Sequence, residues 1–111
     1  MNLPQAINDN PQSITFPEVI EYIDARYDFT PTQFTNGLTV NEAGQNNGSC
    51  KVFSFAKLNG LTVEQTLALF GDYYRIDVLG NPGGADHQNI RNFMLRGWEG
   101  LHFDGEALKA K

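Results

Sequence analysis

The sequence predicts a mainly α fold of the α+β class, about five short helices carrying a small antiparallel β element. Apolar residues recur at three- and four-residue spacing in several separate runs, which is the period of a half-buried helix. Hydroxyl residues stand three positions before a Glu or Gln at the start of two of those runs, the pattern of a capping box. One Asn-Gly pair lies between β-prone flanks, where a tight hairpin turn needs positive φ.

Residues 1–14 carry Asn, Gln and Pro without an apolar period and are expected to form a flexible leader, leaving 15–111 as a single domain. Helix formation is expected from Thr15, whose hydroxyl and the Glu18 carboxylate can satisfy each other's free N–H groups, with Pro17 in the first turn. Phe16, Val19, Ile20, Ile23 and Tyr27 supply its apolar face. The Asn36-Gly37 pair then predicts a hairpin between Thr32–Thr35 and Leu38–Val40, followed by an irregular polar loop over 41–49.

Ser49, or Asn47 before it, is expected to cap a second helix through Lys51–Leu58 that stops at Asn59-Gly60. Thr62 and Gln65 open a third helix through Leu67 and Phe70, ending near Gly71. Asp72 is expected to cap a short fourth helix over Tyr73–Leu79. Asp86 is the expected N-cap of a fifth, which puts Ile90, Phe93, Met94 and Trp98 at the spacing of one face and is expected to end at Gly97. The alternating Leu101–Gly105 tail reads as a strand for the hairpin.

Length and composition suit one folded unit: 111 residues, 41% hydrophobic and 19% charged, enough for one core. The formal net charge is −5, and Arg26, Lys51, Lys57, Arg75, Arg91, Arg96, Lys109 and Lys111 are scattered without a run. That argues against nucleic acid or an anionic membrane surface as partner. The lone cysteine, Cys50, excludes an internal disulfide and a multi-cysteine zinc site, and fits a reducing compartment. No long apolar stretch and no basic, apolar N-terminal run is present, so neither membrane insertion nor a cleaved export signal is expected.

Several segments together resemble one known family: Phe16-Pro17-Glu18-Val19-Ile20, the run from Asn41 to Asn46, Gly48-Ser49-Cys50-Lys51, the run from Phe70 to Arg75, and above all Asp86-His87-Gln88-Asn89-Ile90-Arg91 with Asn92-Phe93-Met94. Over Thr15 to Leu108 the chain resembles the HopJ family, named for type III secretion effectors of plant-pathogenic bacteria. The resemblance implies a bacterial protein made in the cytoplasm, secreted by a type III system if the effector label holds, and it brings no catalytic residues with it.

Cys50 at an expected helix start could carry a lowered pKa and pair with His87 as general base, the basis of a thiol-dependent hydrolase or transferase. The plainer alternative is a buried, inert thiol. The Gly44–Lys51 run has the wrong spacing for a Walker A loop, yet a helix start beside Lys51 suits a small anion or carboxylate. His87 and Arg91 share a helical face and would meet a ligand, or pair with Asp72 or Asp77 to fix loops to the core. His87, His102, Cys50 and the carboxylates are too widely spaced for a metal set, and Phe16, Phe53, Phe70, Phe93 and Trp98 read as core.

The favoured reading is a HopJ-type protein without enzyme activity or cofactor that acts by binding a protein partner. The thiol enzyme and a small-anion binding module are the alternatives. The expected functional surface is Asn46, Tyr74, Asp86, His87, Asn89 and Arg91.

Overall fold

The computed structural model describes residues 2–111; Met1, part of the expected leader, lies outside them. The rest of that leader is a correction. Leu3–Asp9 form a helix, α1, in which the Asn2 side chain accepts from the Gln5 N–H at 3.1 Å and Pro4 occupies the first turn. Leu3 and Ile7, one turn apart, are buried, as is Ile14 beyond a short 3-10 turn at Pro11–Ser13. Two apolar residues are too few to declare a period, but they fall on one face, and that face joins the core. The Arg75 guanidinium holds the segment down by donating to the carbonyls of Pro11 at 3.3 Å and Ile14 at 2.6 Å.

Helix α2, Phe16–Arg26, starts where the capping pattern placed it. Thr15 Oγ1 accepts from the Glu18 N–H at 3.4 Å and donates to the Glu18 carboxylate at 2.7 Å. Val19 and Ile23 point into the core. Tyr27 does not continue the helix: it opens strand β1, Tyr27–Phe29, which pairs antiparallel with β5, Leu108–Ala110.

The hairpin forms as expected from β2, Phe34–Asn36, and β3, Thr39–Asn41, turning at Gly37 with φ of +62°. The expected tail strand is β4, Leu101–Phe103, and it pairs with β2 to give the order β3-β2-β4.

Helix α3 covers Asn47–Leu58 and α4 covers Val63–Ala68, the latter behind a complete capping box between Thr62 and Gln65. The fourth expected helix is instead a π-helix, Tyr73–Val78, and Asp72 makes no side-chain cap. Helix α5 runs from Gln88 to Arg96 and stops at Gly97, whose φ of +59° suits glycine. The fold is therefore α+β and mainly helical.

The aromatic residues meet in the middle. Phe53 lies 6.1 Å from Phe34, 5.3 Å from Phe70 and 4.9 Å from Phe93 between ring centroids. Trp98 packs edge-on against Phe93 and donates its indole N–H to the Leu61 carbonyl at 3.1 Å, which satisfies the polar end of a partly buried ring. Among the described residues no helix is long and apolar enough to cross a membrane.

Candidate functional site

The polar loop after β3 and the loop before α5 bring two helix starts together. Asn46 precedes α3 and His87 precedes α5, and both hold a left-handed backbone, with φ of +52° and +51°. A helix is ordinarily capped from an extended residue whose side chain folds back onto the N–H groups of the first turn. Neither Asn46 nor His87 makes such a bond. The opening N–H groups of both helices are thus left without a capping side chain.

Both starts open into one cleft of about 380 Å³. Gly48 and Ser49 line it from α3, and Gln88, Asn89 and Ile90 line it from α5, while Phe16, Phe70 and Tyr73 form an apolar wall. No Asp or Glu stands among the lining residues, although the chain has 13 of them. The positive ends of two helix dipoles therefore meet in a space whose lining carries no carboxylate, with Asp77 and Asp86 against His87 outside it.

Buried asparagines fix this geometry. Asn36, Asn41 and Asn89 are 0%, 1% and 7% exposed. Asn89 Oδ1 accepts from the side-chain amides of Asn36 and Asn41, each at 3.1 Å, and Asn89 Nδ2 donates to Asn41 Oδ1 at 2.9 Å. Asn46 Nδ2 donates to the same Asn41 oxygen at 2.7 Å. A buried amide left unpaired costs more than a made bond contributes, so this set of partners is structurally demanding.

The structure places the expected site residues in three groups. Asn46, His87 and Asn89 line the cleft. Asp86 and Arg91 form a clamp beside it: Arg91 donates to the Asp86 carboxylate at 2.6 Å and to the carbonyls of Asp86 and Asn81 at 2.6 and 3.0 Å. That hydrogen bond from Arg91 holds the Asp86 carboxyl below the usual carboxylate range. Asp86 is therefore not the N-cap of α5: Arg91 engages its carboxylate and His87 takes the cap position. Tyr74 packs against the core, whereas Tyr73 next to it lines the cleft.

His87 is held from outside the cleft. Its Nε2 lies 3.0 Å from the Asp77 carboxylate, and its ring lies 5.1 Å from that of Tyr73. Loop fixation thus accounts for His87 and Arg91.

Cys50 takes the plainer of its two readings, a buried thiol. It is 1% exposed and its thiol donates to the Thr32 carbonyl at 3.6 Å. Burial pushes the thiol pKa up, against the smaller lowering effect of that hydrogen bond. The helix-start argument fails because Cys50, in the second turn, faces the core. Lys51 also turns from the cleft and pairs with Asp24 at 2.8 Å. Among the described residues no group of three or more His, Cys, Asp or Glu side chains is placed to hold a metal ion.

Sequence reasoning missed Asn36, the buried amide of Asn41 and the aromatic wall as parts of one site, whereas Gly48 and Ser49 lie in the run expected to suit a small anion. A density of asparagines around the hairpin and before α3 was the available signal, but its partner in α5 lies 48 residues from Asn41.

A family model described as "HopJ type III effector protein" matches residues 1–108. A crystal structure described as that of "unknown function protein VPA0580" is similar at 54% sequence identity and a TM-score of 0.96, covering 100% of this chain and 95% of that one. No curated protein matches the chain.

Proposed function

We propose that this chain, which belongs to the HopJ family, acts by binding rather than by catalysis, and that its cleft takes an anionic group, phosphate or carboxylate. One observation carries the reading: two helix starts without side-chain caps open into a single cleft that has no acidic lining. Each helix N-terminus presents N–H donors and roughly half a positive charge, so an anion between two of them gains from both. The aromatic wall gives an apolar remainder of the ligand somewhere to rest. A protein partner would present such a group as a phosphorylated side chain or a terminal carboxylate.

The expected result is a rise in melting temperature with phosphate or sulfate that chloride at equal ionic strength does not reproduce. At a ligand concentration about 100 times Kd the gain is about 2.7 kcal/mol, which is several degrees for a domain of this size. A flat response to both oxyanions would end the reading.

The thiol enzyme gains nothing from this geometry. Because burial raises the Cys50 pKa, its thiolate fraction at neutral pH falls below that of a free thiol, and reactivity follows the thiolate. Native protein is therefore expected to react slowly with iodoacetamide at pH 7 and faster only in the alkaline range, while unfolded protein reacts readily. Rapid labelling of native protein at pH 7 would bring the nucleophile back.

Delivery through a type III system is the second part of the proposal, supported by the family description alone. A fusion to a reporter active only inside host cells tests it, with a secretion-deficient strain as control. Signal that persists in that strain would count against delivery.

A further inference from the structure

We propose that Asn41 is the positioning residue of the cleft: its carboxamide sets the two helix starts against each other and so governs affinity for the ligand. The inference rests on the reading that an anion binds there. Asn41 Oδ1 accepts from Asn46 at the start of α3 and from Asn89 in the first turn of α5, at 2.7 and 2.9 Å. Its Nδ2 donates to Asn89 Oδ1 at 3.1 Å and to the Phe34 carbonyl at 3.4 Å. Both donors and both acceptor sites are used, so the carboxamide has no free rotation.

The burial of this group matters to the argument. Asn41 borders the cleft, but at 1% exposure it has almost no surface to offer a ligand, and it acts through the helix starts that do have it. Directional bonds in a low-dielectric interior hold a geometry more tightly than apolar contacts, which tolerate sliding. An uncharged amide also joins the two positive helix ends without adding a charge that would compete with the anion, as a carboxylate in its place would.

Asn92 provides a control within the same interface. Its Nδ2 donates to the Asn36 carbonyl at 3.0 Å and to Thr39 Oγ1 at 2.9 Å, which ties α5 to the same hairpin. It does not line the cleft.

Calorimetric titration with inorganic phosphate on the wild-type chain, Asn41→Ala, Asn46→Gly and Asn92→Ala, each with a melting curve, tests the inference. Asn46→Gly is expected to keep its melting temperature, since glycine accepts the left-handed backbone, yet to bind phosphate about tenfold more weakly, equivalent to about 1.4 kcal/mol. Asn41→Ala is expected to lose at least as much affinity, and Asn92→Ala to lose stability while its affinity stays at the wild-type value. Wild-type affinity in Asn46→Gly and in folded Asn41→Ala would overturn the positioning role and leave anion binding intact. Equal loss in Asn92→Ala would also overturn it, because general loosening of the interface would then explain the effect. Absence of phosphate binding by the wild-type chain would remove the anion reading itself, and this inference with it.

Discussion

Phe53→Ala is expected to lower stability by about 3–5 kcal/mol, the range for removing a buried aromatic ring from a core that cannot fully collapse. Phe53 is 0% exposed and meets three other rings, from β2, the turn after α4, and α5. Each of those belongs to a different part of the chain, so the cavity cannot close by the shift of one element. For a chain of this length about 1 kcal/mol corresponds to about 4–8 °C, and the melting temperature is expected to fall by roughly 12–40 °C on that scale. Urea unfolding should show the midpoint falling with the slope unchanged. A loss below about 1 kcal/mol would mean that the four rings repack freely, against the close packing of protein interiors.

Asn89→Ala carries the second large effect, about 2–3 kcal/mol, from buried amides deprived of partners. The Asn89 side chain makes three buried hydrogen bonds, to Asn36 and Asn41. Asn36 Oδ1 already has no partner, so the network has no spare donor with which to reorganise. Asn41→Ala removes two of the same three bonds, and the double variant is therefore expected to lose clearly less than the sum of the single losses. A double-mutant cycle from chemical unfolding reads this directly. Additive losses would show that the two side chains contribute separately and that the network is only an arrangement of neighbours.

What the sequence revealed of the fold and what it concealed divide by distance along the chain. Thr15 with Glu18, Thr62 with Gln65, and Asn36 with Gly37 act within three residues, and each produced the element its chemistry demands. Helix α1 went unseen because its apolar face has only two members, and only the core they enter gives them meaning. Asp86 was a good cap on local grounds. Arg91, five residues away, took the carboxylate instead and His87 assumed the cap position in a left-handed backbone, an outcome set by loop closure rather than propensity.

The candidate site shows the same division. Asn46, His87 and Asn89 were legible because a resemblance drew attention to the segments that hold them. Their joint purpose was not, since Asn36 and Asn89 meet across 53 residues and no spacing rule spans a gap of that length. Cys50 kept two readings in the sequence for a related reason: a helix start favours a thiolate only on the side facing solvent, and the facing side is decided by tertiary packing.

The packing of α1 alters how force would travel through the molecule. With Leu3 buried in the core and Arg75 gripping the backbone at Pro11 and Ile14, the segment from Leu3 to Ile14 is anchored rather than trailing. A machine that pulls on this segment must extract a cornerstone as it does so, and capture and collapse of the whole become a single event.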